Sequence, residues 1–88
     1  MAKQVLVSLT ASKQLDELGD AVKERVKSVL SKYSKSGAGD TKRLHGIRGK
    51  EDLVRLRIGD YRVVFREDAS SIRVTQVFHR SRGYGWLE

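Results

Sequence analysis

RLRIGDYRVVFR, residues 55–66, decides how this chain folds. Gly59-Asp60 is a two-residue turn signal between two alternating apolar runs, the pattern of a tight β-hairpin. A two-residue turn fixes the strand register. Ile58 then faces Tyr61, Leu56 faces Val63 and Val54 faces Phe65, and these six share one side that can pack on helices. The other side carries Arg57 opposite Arg62, Arg55 opposite Val64, and Leu53 opposite Arg66. Like charges directly opposite one another destabilise a hairpin. Arg55, Arg57, Arg62 and Arg66 on one face therefore cost folding free energy unless an anion meets them, and phosphate is the obvious anion. The competing reading pairs them with Glu51, Asp52, Glu67 and Asp68. Those acids sit at strand ends, and exposed ion pairs contribute only about 0–1 kcal/mol each.

Working outward, strands are expected over 52–58, 61–67 and 71–79, joined by Gly59-Asp60 and Asp68-Ala69-Ser70 as an antiparallel meander. QVLVSL, 4–9, alternates with Val5, Val7 and Leu9 on one side and reads as a first strand. Thr10-Ala11-Ser12 can cap a helix start. Leu15, Leu18, Val22, Val26, Val29, Leu30 and Tyr33 then recur at three- and four-residue steps, a helical stripe that reads as core. Gly19-Asp20 interrupts it, a poor helix former followed by a good cap. The spacing predicts a helix over 12–18 and another over 20–34. SKSGAGD, 34–40, reads as a flexible break, and TKRLHGIRGK, 41–50, as a basic loop. The expected order is β-α-α-β-β-β, an α+β fold with a helical hairpin on an antiparallel sheet.

The 88 residues, without a linker-like tract, are expected to form one domain, 1–88. A chain of this size buries only roughly two-thirds of its unfolded surface, enough for one core. It has no cysteine, so neither a disulfide framework nor a thiolate metal site is available, which suits a reducing cytoplasm. No apolar run approaches the length of a membrane span, and no secretory leader is visible at the N-terminus. Eighteen Lys and Arg against eleven Asp and Glu give a net charge of +7, which predicts an acidic partner: nucleic acid or an acidic protein. The charge divides unevenly. Residues 1–35 hold six lysines and one arginine, Arg25, whereas residues 36–88 hold nine arginines and two lysines. Arginine's planar fork grips phosphate with two hydrogen bonds, so the two halves are not equivalent.

The last strand ends in VFHRSRGYGW, 77–86. Histidine and tyrosine move protons, arginine stabilises charge on phosphorus, and aromatics stack on bases. A basic sheet with aromatics at its rim suits single-stranded RNA. Trp86 and Tyr84 have a competing role as caps on the core. Two histidines, His45 and His79, make a poor metal site without cysteine. There is no phosphate-binding glycine signature between a strand and a helix, nor a carboxylate pair at a spacing suited to acid–base work. A nuclease of this composition would work without metal. It would use RNA's own 2′-hydroxyl as nucleophile, which favours RNA over DNA.

KRLHGIRGKEDLVRLRIGDYRVVFRED, 42–68, followed by IRVTQVFHRSRGY, 72–84, resembles the RelE/ParE superfamily of bacterial and archaeal toxins from toxin–antitoxin systems. The specific parts are the Gly-Asp-Tyr-Arg turn with its flanking strands and the His-Arg-x-x-x-Tyr ending; the helical half is generic. The resemblance implies a compact, microbial-RNase-like type II toxin. It would cleave messenger RNA on the 70S ribosome by 2′-hydroxyl attack, without a cofactor, in the cytoplasm. A cognate antitoxin with acidic and amphipathic segments would form a heteromer with it. Carried over by motif, Arg55 matches a basic position on the strand before the turn, and Arg62 the arginine after the turn tyrosine. Arg80 matches the strand-end arginine and Tyr84 the closing tyrosine. Arg62 and Arg80 would contact the scissile phosphate, with Arg55 assisting deprotonation of the 2′-hydroxyl. Tyr84 would stack on a base or move a proton, His79 is a candidate acid or base, and Trp86 is an alternative stacking group. Lys42, Arg43, Arg48 and Lys50 would meet ribosomal RNA backbone, and Arg57, Arg66 and Arg82 would extend the RNA-binding surface. Where some members carry a further lysine early in that strand, this chain has Leu53, which implies weaker cleavage or a reassigned proton transfer. The ParE branch shares the fold but inhibits DNA gyrase; the His-Arg-x-x-x-Tyr ending favours the RelE branch. A non-catalytic RNA-binding module is a third reading.

Overall fold

Ser8 sets the first boundary in the chain. The computed structural model describes residues 2–44 and 53–82, with β1 at Gln4–Val7 and α1 at Leu9–Leu18. Ser8 has extended backbone, and its Oγ accepts the Ala11 N–H at 3.0 Å. This satisfies one of the amide donors that a helix start leaves open. Leu9 is therefore the first helical residue and not the end of the strand, and the cap lies two residues before the expected Thr10-Ala11-Ser12. Gly19 ends α1 as expected, at a φ of 91° that favours glycine. Helix α2 spans Asp20–Ser36. Asp20 is its first residue and not its cap, placing a carboxylate at the positive end of the helix dipole.

The sheet is completed by β2 (Asp40–Arg43), β3 (Leu53–Ile58), β4 (Tyr61–Glu67) and β5 (Ser71–His79), followed by a 3-10 turn at Arg80–Arg82. The strand order is β1-β5-β4-β3-β2. The α+β class and the helical pair hold, as does the hairpin register: all six pairs from Leu53↔Arg66 to Ile58↔Tyr61 fall as the turn dictates. Two features depart from the sequence reading. The start of the expected basic loop is a strand, β2, antiparallel to β3 with Lys42 opposite Arg55. The sheet is mixed rather than wholly antiparallel, because β1 runs parallel to β5 along Gln4↔Ser71 to Val7↔Val74.

The helices cover one sheet face. Ala11, Leu15, Val26 and Leu30 bury against Val54, Leu56, Ile58, Val63, Phe65, Ile72, Val74 and Val77, with Leu18, Val22, Val29 and Tyr33 packed at the margin. The opposite face has its own smaller apolar cluster of Leu44, Leu53, Val64 and Phe78. No helix among the described residues is long and apolar enough to cross a membrane.

A polar clasp locks α2 to the sheet. The Tyr33 hydroxyl donates to Glu67 Oε1 at 2.7 Å, and Lys3 Nζ donates to Oε2 at 2.8 Å. Burial first, and then the hydrogen bond to Glu67, push the Tyr33 phenol from its ordinary 10.0 up to about 12. Burial also pushes the Glu67 carboxyl up, but hydrogen bonds from Lys3 and Tyr33 outweigh it and hold the group below its usual range. In the β4–β5 turn, Asp68 Oδ1 accepts the backbone N–H groups of Ser70 and Ser71, each at 2.8 Å. These bonds draw Asp68 down from 3.8 to about 2. The two kinds of shift act at opposite ends of the pH scale. Tyr33 is raised, so its contribution is complete below pH 10 and is lost as pH rises through 12. Asp68 and Glu67 are lowered, so theirs is complete above the ordinary carboxylate range and is lost on acidification, for Asp68 through about 2. The urea midpoint is thus expected to be level near neutrality and to fall at both extremes. Tyr33→Phe should flatten part of the alkaline fall; an unchanged alkaline limb in that variant would remove Tyr33 from the account.

Candidate nucleic-acid interface

Gly59 has a φ of 57°, the left-handed conformation a two-residue turn requires. That turn directs Arg55, Arg57, Arg62 and Arg66 away from the helices. Neighbouring strands add to the same face. On β2, Lys42 stands beside Arg55 and Asp40 beside Arg57. On β5, Arg73 stands beside Arg66 and Phe78 beside Arg62. Arg73 and Phe78 are five apart and would alternate to opposite faces in a regular strand. The register shifts at Val64/Phe65, leaving Thr75 as an extra residue that brings both to one side. Across the described strands, Arg55, Arg57, Arg62, Arg66, Arg73 and Lys42 thus share a face with one carboxylate, Asp40.

The individual geometries differ. The Arg55 side chain is only 15% exposed, and its Nη2 lies 3.6 Å from Asp40 Oδ1. Its Nε is buried with no hydrogen-bond partner among the described residues. Such an unmet donor costs about 1–3 kcal/mol, and an anionic oxygen would satisfy it. Arg57 is exposed. Arg62 curls back on its own turn, donating from Nη1 to the carbonyls of Gly59 at 2.8 Å and Tyr61 at 2.9 Å. Arg80 donates its backbone N–H to the Asp60 carbonyl at 2.7 Å, and its Nε lies 3.4 Å from Asp60 Oδ1. Arg66 and Arg82 are exposed. Of the acids set against the arginines in the sequence reading, Glu67 is committed to Lys3 and Tyr33, and Asp68 reaches Arg73 only at 4.0 Å.

Two expected site residues lie elsewhere. Arg43 pairs with Val54 and so sits on the helix side, where its charge acts on Tyr33 and Glu67. His79 pairs with Tyr61 on that same side, with the rings edge to face at 5.3 Å. Its Nδ1 accepts the Ser81 N–H at 3.1 Å, leaving Nε2 as the protonated nitrogen of the neutral ring. A cleft of about 200 Å³ beside it is lined by Gln14, Glu17, Val77, His79 and Arg82. Arg48, Lys50, Tyr84 and Trp86, with Glu51 and Asp52, lie outside the described residues. Sequence reasoning missed Arg73, because its face depends on a bulge that alternation does not reveal, and Asp40, because β2 was read as loop.

Two helices lie on one side of a five-stranded sheet, and guanidinium groups stand on the other, an architecture shared with solved toxins of the RelE type. The family model described as ParE toxin of type II toxin-antitoxin system, parDE, matches residues 5–84, so the chain belongs to this family and is a type II toxin–antitoxin toxin. The fold matches solved toxins across nearly the whole chain. The toxin in the RelE–RelB complex of Pyrococcus horikoshii aligns with a TM-score of 0.74 at 24% identity, covering 94% of this chain and 100% of that one. The toxin–antitoxin complex of Mycobacterium tuberculosis gives 0.78 at 23% identity, covering 91% and 100%. Escherichia coli toxin RelE, solved in the free state as a double arginine-to-alanine mutant, gives 0.71 at 24% identity, covering 100% and 94%. No curated protein sequence matches this chain.

Proposed function

We propose that this toxin is a metal-independent endoribonuclease that cleaves messenger RNA on the ribosome and so stops translation. One observation carries the reading: Arg62 and Arg80, from different strands' ends, are both tied to the Gly59-Asp60 turn, through the Gly59 and Asp60 carbonyls. The Arg62 guanidinium bonds the turn directly, while Arg80 is anchored by its backbone N–H with its Nε 3.4 Å from Asp60 Oδ1. Both guanidinium groups thus stand beside one short turn and can hold a single phosphate and meet charge as it builds on its oxygens. Arg55 brings to the same face a buried N–H that has no partner among the described residues. In the step proposed, the 2′-hydroxyl gives up its proton and its oxygen attacks the adjacent phosphorus. The bond to the 5′-oxygen breaks, that oxygen takes a proton, and a 2′,3′-cyclic phosphate is left.

His79 and Tyr84 are the proposed proton-moving groups, with Tyr84 or Trp86 stacking on a base. His79 would have to act from the edge of the sheet, since it lies across from Arg62's face. Lys42, Arg57, Arg66 and Arg82, with Arg48 and Lys50, would engage RNA backbone; Arg43 belongs with the Glu67 clasp instead. The site of action is the cytoplasm, where the ribosomal target is. The partner is an acidic, amphipathic antitoxin that masks the cationic face; several structural relatives are toxin–antitoxin complexes.

The matching family model carries the ParE name, which favours a second reading, inhibition of DNA gyrase. Purified toxin added to translating ribosomes, with message ends mapped by primer extension, is expected to give discrete cuts. No cuts, with loss of supercoiling by purified gyrase, would establish the second reading. Single-stranded RNA binding with neither effect would leave a non-catalytic module.

A further inference from the structure

Arg25 is the sole arginine among the first 35 residues, and it projects from α2, outside the strands that carry the others. Its guanidinium lies against the hairpin turn. A Cβ built on Gly59 would be 3.0 Å from Nη2 and 3.2 Å from both Nη1 and Cζ. Three coplanar atoms nearly equidistant from one point mean that the plane faces the turn, so the N–H edges run around it and not into it. Arg25 is exposed, and among the described residues no carboxylate pairs with it. The same turn already holds the Arg62 guanidinium through the Gly59 carbonyl and the Arg80 backbone N–H through the Asp60 carbonyl, with Arg80 Nε 3.4 Å from Asp60 Oδ1. Guanidinium groups from α2, β4 and the 3-10 turn therefore each approach these two residues, which supply a single carboxylate, Asp60.

We infer that Arg25 is a third phosphate-binding arginine, completing with Arg62 and Arg80 a cationic cluster organised by the Gly59-Asp60 turn and built to take the ribose-phosphate backbone of single-stranded RNA. Packing alone does not call for arginine here. A guanidinium laid on glycine gains contact area, but among the described residues no carboxylate pairs with its charge, while Arg62 and Arg80 approach the same turn. Glycine at 59 serves both the turn, through its φ of 57°, and the approach of Arg25, since a side chain there would meet the guanidinium at contact distance. The inference rests on the nuclease reading for its biological substrate, but not for its binding test.

The probe is a fully 2′-O-methylated single-stranded RNA, which the proposed chemistry does not cut, titrated by fluorescence anisotropy over a salt series. Arg25→Gln is expected to weaken binding roughly five- to tenfold, the scale of one hydrogen-bonded ion contact. The slope of log affinity on log salt should become shallower by about 0.7, the share of one phosphate on a single strand. Lys32→Gln removes the same charge from the same helix away from the turn and should leave the slope unchanged. Equal effects of the two variants, or no effect of Arg25→Gln, would reduce Arg25 to a general charge or a support for the turn. If Arg25→Gln lowers the melting temperature, the unaltered protein still decides the matter by arginine side-chain NMR. The Arg25 Nε–H signal should shift together with those of Arg62 and Arg80 on adding the probe, and a stationary Arg25 signal would overturn the assignment. Absence of message cleavage with a clear Arg25 effect would reject the nuclease reading and keep the phosphate cluster.

Discussion

Arg62→Ala is expected to cut messenger RNA cleavage by on the order of 10²–10³-fold, the scale on which removal of one charge-stabilising donor acts. The loss should appear in kcat under single-turnover conditions with ribosome-bound message, while thermal stability stays near that of the unaltered protein. This separation follows from the side chain's surroundings. Among the described residues, Arg62 donates to the carbonyls of Gly59 and Tyr61 alone, and it stands opposite Arg57 in the register. Removing it gives up one exposed and one part-buried hydrogen bond, each of small net value, and relieves a like-charge pair. Arg62→Lys keeps the charge but not the two-pronged geometry, and should recover only part of the activity. A variant that melts much earlier while the remaining folded fraction cleaves normally would make Arg62 a structural residue and remove the main support for the nuclease reading.

The largest stability effect is expected at Phe65. Its side chain is fully buried in the helix-side core, and its ring lies 5.4 Å from that of Tyr33 at 57°. Phe65→Ala should cost about 3–5 kcal/mol, through lost transfer free energy and the cavity left behind. Domains of this kind have a total stability of roughly 5–15 kcal/mol, so much of the margin would go. The loss should also loosen the clasp on the same face, because Tyr33 would no longer have a ring to pack against while its hydroxyl reaches Glu67. Urea denaturation followed by circular dichroism measures it. A loss under about 1 kcal/mol would mean that the two faces of the sheet are stabilised more equally than the burial pattern implies.

The central hairpin was legible because its information is local. Gly59-Asp60 admits one tight turn, and from it every pair from Leu53↔Arg66 to Ile58↔Tyr61 follows. The helical stripe was legible for the same reason: apolar steps of three and four along α1 and α2 have one packing solution. β2 was not, because Asp40, Thr41, Lys42 and Arg43 are all exposed and show no apolar alternation. Its strand character comes from the pairing offered by β3. The side on which Lys42 and Arg43 lie follows from that pairing too, which is why two adjacent cations expected to act together point to opposite faces. Arg73 depended on the bulge at Thr75, and Arg25 on how α2 crosses the turn. In each case the missing information was a contact between segments distant along the chain.

The first strand of the sheet along the chain pairs with the last. Among the described residues Gln4–Val7 has no strand neighbour besides β5, and it pairs there with Ser71–Val74. During synthesis the N-terminal strand must wait, with Leu6 still on the surface even in the finished protein. Arg80 likewise reaches Asp60 only after β5 has been made. Pairing over such separations is a slow event in folding. The local hairpin carrying Arg55, Arg57, Arg62 and Arg66 can therefore form ahead of the part of the cationic surface that needs β5, namely Arg73 and the anchoring of Arg80 at Asp60.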